Sequence, residues 1–401
     1  MGVQIHLNNM HSVLEDCPHR EKCFWGGDFH ASWATGFSTL DSTAFYRECV
    51  NVYDTPPFDP RGFPGDMGVG RKRSHTRHCN DFSWPVSPLF ITWRLYEMDG
   101  DLETARRNYE QMRVFLDYFE KNAPDLIPLD AKYGDHAAVR VPRAEQNKRL
   151  IAAMNFFATA DRFSKLAQAL GKSDAADRAA DLAGRIRASI LEKYYDAGRH
   201  TFGNGTQDSL ALALGLPEPE ERPAVAESLA RVYRENGNKF DGGFMSYNIF
   251  PQLAENGEVD LALDMLRNTN YMWVAWSIAQ YDATTFWELY YDQPVSHSSS
   301  LNHHAANHPA AWMLTHLAGI QATYRKISLT PCIPRDLEWV NASVETHHGT
   351  VQSSWTQANG QVTWNIVIPP NAEAELRFPD ESKLPVKTVN AGTYRFDWNL
   401  N

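Results

Sequence analysis

Thirteen residues near the start of the chain, Asp16-Cys17-Pro18-His19-Arg20-Glu21-Lys22-Cys23-Phe24-Trp25-Gly26-Gly27-Asp28, hold three carboxylates, three cations or potential cations, two aromatics and three backbone punctuators. A carboxylate beside an indole loses solvation, which favours its neutral form, so Glu21 near Trp25 is a candidate for holding and donating a proton at neutral pH. Asp16 and Asp28, with Arg20 between them, can stay charged and hold the hydroxyls of a polar ligand. Pro18 and the Gly26-Gly27 pair keep the stretch from being plain helix, so these side chains converge from a loop. The bland reading is a charged surface turn with Trp25 packed beneath it. Far along the chain, Asp282-Ala283-Thr284-Thr285-Phe286-Trp287-Glu288 again sets a Glu beside a Trp, in a polar break between apolar stretches.

Other clusters carry weaker signals. His75-Thr76-Arg77-His78-Cys79 and His297, His303, His304 and His308 invite a metal reading, but neither group has Cys-x-x-Cys or His-Glu-x-x-His spacing, and Arg77 repels a cation. No metal and no cofactor are expected. Cations flank Cys17 and Cys23, which could lower a thiol pKa, yet no nucleophile signature accompanies them, and Cys17 is expected to pack beneath the motif. Gly65 to Gly70 followed by Arg71, Lys72 and Arg73 fits no phosphate-loop pattern and reads as a basic-edged loop.

The first motif resembles the Asp-Cys-Pro-x-Arg-Glu-x-x-x-Trp-x-Gly-Asp signature of the bacterial and fungal α-L-rhamnosidases of glycoside hydrolase family 78, with Phe24 where that family usually has Gly. The second segment resembles its Gly-Ala-Thr-Thr-x-Trp-Glu, with Asp282 replacing Gly, and Leu301-Asn302-His303 resembles its Phe-Asn-His. The resemblance implies Glu21 as general acid, Glu288 as general base, and Asp16, Arg20, Trp25, Asp28 and His303 as sugar contacts. Trp84, in Phe82-Ser83-Trp84-Pro85, falls where the family keeps an aromatic wall to its sugar pocket. Tyr133-Gly134-Asp135-His136 resembles Gly-Asp-Trp, with the smaller, hydrogen-bonding His136 in place of Trp. Glu21 would then protonate the glycosidic oxygen while Glu288 activates water on the opposite face, with inversion and carboxyls about 6.5–9.5 Å apart.

Behind these residues the chain shows mostly helical period. The spacing predicts a short helix in 1–15, a helix over 29–50, a long loop over 54–85, and helices over 86–98, 101–121, 144–170, 173–194, 207–214, 219–236, 247–255, 258–268 and 304–320. Successive helical hairpins with almost no strand signal point to a mainly α fold, an α/α barrel of the six-hairpin glycosidase type over residues 1–325. Beyond Arg325, alternation in Val351–Trp355, Val362–Ile368 and Ala374–Phe378, broken at Asn359-Gly360 and Pro369-Pro370, predicts a small C-terminal antiparallel β-sandwich over 326–401. In the family a longer helix and further domains precede the first motif, so the barrel's first helix is expected to be truncated here. A homo-oligomer whose neighbouring subunit supplies that wall is one way to complete it.

The 401 residues are 43% hydrophobic, with a formal charge of -11 and no basic run longer than Arg71-Lys72-Arg73, which argues against nucleic acid or an anionic membrane as partner. A carbohydrate, a rhamnoside in particular, fits better, and twelve Trp supply rings on which sugars stack. No apolar run reaches membrane-spanning length and no signal peptide is visible, while five cysteines at irregular spacing suit reduced thiols, so a cytoplasmic setting is expected. Two other readings stay open: a glycosidase or lyase for another deoxy or acidic sugar on the same scaffold, and a carbohydrate-binding protein or fragment without activity.

Overall fold

The computed structural model describes residues 1–53, 63, 65–68, 82–129, 131–138, 147–270, 273–288 and 300–400. The basic stretch Arg71–Arg73, the cluster His75–Cys79 and His297 lie outside the described residues.

Among these the helices are α1 (Gly2–Asn9), α2 (Gly26–Ala31), α3 (Trp33–Thr39), α4 (Thr43–Tyr53), α5 (Ser87–Asp99), α6 (Leu102–Asn122) and α7 (Lys148–Ala169). They continue with α8 (Ser173–Tyr194), α9 (Gly205–Ala213), α10 (Arg222–Glu235), α11 (Ile249–Glu255), α12 (Val259–Arg267), α13 (Trp273–Tyr281) and α14 (His308–Trp312). Short polar side chains start several of them. Asp101 accepts from the Thr104 amide and hydroxyl at the head of α6, and Asn147 and Asn204 cap α7 and α9 in the same way.

The helices pack as a closed double ring, an α/α barrel of six hairpins. The inner ring runs α2–α3, α5, α7, α9, α11, α14, each packed on the next, and α14 returns to α3 to close it. At that seam Thr35 Oγ1 donates to the Asn307 carbonyl at 2.8 Å, and Asn307 Nδ2 donates to the Gly2 carbonyl at 2.6 Å. The outer helices alternate with these, and between the rings lies one continuous apolar core that includes Phe82, Phe115, Phe119, Phe156, Leu229 and Ile249.

The predicted helix over 29–50 is three helices. Ser32 Oγ bonds back to the Asp28 carbonyl, a contact that bends a helix, and the chain leaves helical geometry at Leu40 before Ser42 Oγ ties the turn to the Gly36 carbonyl. The Tyr46 hydroxyl fills the space where a side chain on Gly36 would sit. The predicted helix over 304–320 opens with a 3₁₀ turn, His304–Ala306, and ends in a π turn at Leu317. Helix α13 had no counterpart in the predicted set.

The C-terminal strands β1 (Ile320–Ala322), β2 (Ile327–Leu329), β3 (Trp339–Thr346), β4 (Gly349–Ala358), β5 (Gln361–Leu376) and β6 (Lys387–Asn399) begin six residues ahead of the predicted start at 326. They hydrogen-bond in the order β1-β2-β5-β4-β3, with β6 also on β5. All pairs are antiparallel except β2 with β5. The alternating residues Val351, Trp355, Val362, Trp364, Ile366 and Ile368 are buried together with Trp398. Asn359 and Gly360, both at positive φ, make the tight turn between β4 and β5. The unit is stitched to the end of the barrel's last helix: Trp355 Nε1 donates to the Leu317 carbonyl at 2.7 Å and Ser353 Oγ to the Ala318 carbonyl at 2.6 Å.

Among the described residues Cys17 and Cys49 are free thiols, and no helix is long and apolar enough to cross a membrane.

Candidate active site

The inner ring decides where the flagged residues meet. Glu21 and Trp25 precede α2, Trp84 precedes α5, Tyr133 to His136 lie ahead of α7, and Glu288 and His303 precede α14. All therefore stand at the N-terminal end of the ring.

The loop that bears Glu21 is closed on itself. Asp16 N–H donates to the Cys23 carbonyl and Cys23 N–H to Asp16 Oδ1, both at 2.8 Å. A bridge between Trp25 and Met67, with Gly26 N–H donating to the Asp66 carbonyl, then sets the start of α2. Gly26 and Gly27 are needed for close approach: a Cβ on Gly27 would stand 2.1 Å from the Trp84 ring, and one on Gly26 2.3 Å from the Trp84 carbonyl oxygen.

Arg20 joins the two candidate catalytic carboxyls. Its Nη1 lies 2.7 Å from Glu21 Oε1 and its Nη2 lies 3.0 Å from Glu288 Oε2. Trp25 Nε1 donates to the other oxygen of Glu21 at 2.6 Å. The indole thus meets Glu21 through its N–H, and not through the apolar face expected from sequence. Glu288 is held from behind by two main-chain bonds, its own N–H to the Ser300 carbonyl and Ser300 N–H to Oε2, each 2.9 Å. Its Oε1 carries no hydrogen bond among the described residues. Trp287, expected to repeat the Glu21–Trp25 arrangement, is instead buried against Trp276 and Tyr281 at ring distances of 5.8 and 5.3 Å. Alternate side chains of an extended segment point to opposite faces, which separates it from Glu288.

Beneath this pair, Asp16, Asp28 and His303 form a buried group. His303 Nε2 lies 2.8 Å from Asp28 Oδ1, with both side chains almost fully enclosed. Burial pulls the His303 pKa down, but its contact with Asp28 and the charges of Asp28, Glu288 and Asp16 outweigh that and raise it. Burial, then the charge of Asp28, pushes Asp16 up to about 6, against the opposing pull of Cys17, Cys23 and His303.

The expected aromatic wall departs from the sequence reading. Trp84 is only 2% exposed, stacked on Tyr133 at 4.0 Å and covered by Gly27, so it backs the pocket and does not offer a free face. His136 stands edge-on to Trp84, Tyr133 and Phe244 at 5.5, 6.0 and 5.4 Å, and is half-buried. Phe244, which the sequence reading did not single out, lies 5.3 Å from the His303 ring. It is seated by Asp135, also not singled out as a site residue. This buried carboxylate accepts from Gly243 N–H, Met245 N–H and Thr206 Oγ1 at 2.9, 2.7 and 2.8 Å. The pair Gly242-Gly243 was the available signal, since a Cβ on Gly243 would stand 2.0 Å from the His136 carbonyl oxygen.

His304 and His308 lie apart from this chemistry. His304 packs edge-on to His6 and His308 tilts over Phe240 and Phe250, and burial holds the His308 pKa down at about 4. Among the described residues no group of three His, Cys, Asp or Glu side chains is arranged to hold a metal. A cavity of about 620 Å³ opens at the opposite, C-terminal end of the inner ring, between Trp33, Phe37, Arg94 and Trp312, and is separate from the carboxyls.

Comparison with known proteins points the same way. A model of the bacterial alpha-L-rhamnosidase 6 hairpin glycosidase domain matches residues 3–317, and one of the bacterial alpha-L-rhamnosidase C-terminal domain matches residues 317–393. An alpha-L-rhamnosidase of Formosa agariphila is 27% identical over 95% of this chain and 42% of its own length. One of Streptomyces avermitilis is 27% identical over 92% of this chain and 36% of its own length. The chain thus spans about four-tenths of the length of these curated relatives. Among solved structures, the alpha-L-rhamnosidase from Dictyoglumus thermophilum superposes with a TM-score of 0.90 at 23% identity, covering 99% of this chain and 48% of that one. The Streptomyces avermitilis enzyme complexed with L-rhamnose superposes at 0.88 and 24% identity, covering 99% and 40%. These likenesses establish the fold.

Proposed function

The chain belongs to the bacterial α-L-rhamnosidase six-hairpin glycosidase family, and on that premise we propose that it hydrolyses terminal α-L-rhamnosides with inversion, Glu21 serving as general acid and Glu288 as general base. The single observation that carries the assignment is the Arg20 guanidinium, which reaches Glu21 with one nitrogen and Glu288 with the other. Two carboxyls within reach of one guanidinium stand on either side of a single group, as attack and departure on opposite sides of one carbon require.

A terminal sugar entering that space takes over the donors of Arg20. Protonated Glu21 then gives its proton to the glycosidic oxygen as the bond to the anomeric carbon breaks. Glu288 Oε1, the oxygen that neither Arg20 nor Ser300 engages, takes a proton from the water whose oxygen bonds to that carbon. The Asp16, Asp28 and His303 group beneath offers acceptors and a cation for sugar hydroxyls, and Ser300 N–H keeps Glu288 aimed.

The test is release of nitrophenol from an aryl α-L-rhamnopyranoside by the chain, beside Glu21→Gln and Glu288→Gln. Both variants should lose at least about a hundredfold in kcat, and proton NMR of early product should show the inverted anomer. A variant with wild-type turnover removes that residue from its role, and a retained anomer refutes the mechanism.

A second reading, a glycosidase for another deoxy or acidic sugar, is favoured by one observation. His136 stands edge-on to Trp84 where the resemblance gives Trp, and Lys132 reaches the buried Asp66 and the Tyr133 hydroxyl. Faster turnover of another aryl glycoside, a uronide above all, would favour it.

A further inference from the structure

The acid loop contains one buried nucleophilic group that the proposed mechanism does not use. Cys17 is fully enclosed, and its Sγ touches both halves of the site chemistry. Its S–H donates to Asp16 Oδ2 at 2.8 Å, while the sulfur accepts from the main-chain N–H of Glu21 at 3.3 Å. Burial, then the charge of Asp16, pushes the thiol up to about 11, so it keeps its proton across the neutral range and remains a donor. Lys22, directly after Glu21, adopts a positive φ of 55°, a conformation that a side chain other than Gly takes only when its surroundings impose it. The Asp16–Cys23 clamp closes the loop ends, but its middle, which bears Glu21, is tied inward through the sulfur.

We propose that the Cys17 thiol is a positioning residue that couples Asp16 to Glu21, keeping the first ionised and the main chain of the second in place. The inference rests on the reading of Glu21 as acid and Asp16 as sugar contact. The charged and titratable groups facing Asp16 are Cys17 on its own loop, Arg20, Asp28 on α2 and His303 ahead of α14. Of these, Cys17 donates to one carboxylate oxygen and the Cys23 amide to the other.

Removing the thiol takes away a donor that favours the carboxylate, so Asp16 should protonate at higher pH. In Cys17→Ala, kcat/KM for an aryl α-L-rhamnoside should fall about ten- to a hundredfold, the scale of a hydrogen bond to a charged group. The acid limb of the kcat/KM profile should move to higher pH. Cys17→Ser, which restores a donor, should return most of that shift. A merely structural thiol would lower the yield of folded protein without moving the limb.

Carbon-13 NMR titration of the Asp16 carboxyl, assigned with Asp16→Asn, gives a readout that needs no turnover. The midpoint should rise in Cys17→Ala and recover in Cys17→Ser. An unmoved midpoint in Cys17→Ala overturns the inference even if the chain is an active rhamnosidase. A moved midpoint in a chain that cleaves no rhamnoside sustains the coupling and refutes the functional reading instead. Should Cys17→Ala not fold, the Raman S–H stretch lost between wild type and Cys17→Ser decides: a free-thiol frequency in the wild type overturns the proposal.

Discussion

Replacing Asp135 by Asn should weaken the fold more at pH 5 than at pH 8. The carboxylate is buried and accepts from Gly243, Met245 and Thr206, and its pKa is pushed up to about 6, chiefly by burial. Asparagine keeps one acceptor oxygen. With that oxygen set towards Gly243 and Thr206, its NH2 group faces the Met245 N–H, and a buried donor left unsatisfied costs about 1–3 kcal/mol. That cost is the same at every pH, whereas the wild-type contribution is not. An acid whose folded pKa lies above its unfolded one binds more protons when folded, so the stability it contributes is full below the unfolded value of 3.8 and is lost as pH rises through about 6. Linkage between these two values gives a wild-type loss on the order of 1 kcal/mol from pH 5 to pH 8, which the amide does not share. The penalty of Asp135→Asn should therefore be smaller at pH 8 by an amount on the order of 1 kcal/mol. Urea unfolding followed by tryptophan fluorescence at the two pH values measures it, with every other titrating group common to both proteins. A penalty equal at both values, or larger at pH 8, would refute the account of how Asp135 holds the loop beneath Phe244.

Two further outcomes follow from backbone fit. Gly27→Ala drives a methyl into the Trp84 ring and should cost about 1–3 kcal/mol of stability, together with activity, since α2 carries Asp28; an unchanged melting temperature would show that Trp84 moves aside freely. Asp282 sits at a φ of 51°, in the left-handed region that favours Gly. Asp282→Gly should relieve about 1–2 kcal/mol of strain, offset by about 0.4–1 kcal/mol of unfolded-chain freedom, for a small net gain. A destabilised variant in thermal unfolding would mean that the Asp side chain contributes more than its backbone costs.

The helices were legible where one face is apolar and the other polar, as in α6 and α8, because period alone reports that contrast. Ser32 and Ser42 break a helix through which the apolar spacing continues, so the breaks come from side-chain bonds to the main chain that spacing does not encode. Helix α13, Trp-Val-Ala-Trp-Ser-Ile-Ala-Gln-Tyr, is apolar nearly all round and shows no face to detect. Ring closure depends on contacts between the first and last hairpins, which no local window contains. At the site, residue type and motif brought out Glu21, Arg20, Trp25, Asp28, Glu288 and His303, and the fold gathers them at one end. The sense of each contact was not legible. The indole N–H of Trp25 points at Glu21, Trp287 turns away from Glu288, and Trp84 lies beneath Gly27, all of which depend on side-chain direction.

The seam that closes the inner ring has a kinetic consequence. Thr35 and Asn307 are 272 residues apart, and Arg20 and Glu288 are 268 apart. Each helical hairpin can form from neighbours in the chain, but these contacts must await the meeting of distant segments, which slows their formation. Glu21 travels with the first hairpin and Glu288 with the last, so neither partial barrel contains both carboxyls. Return of activity during refolding should lag the return of helical circular dichroism, and the lag times the closing of the seam.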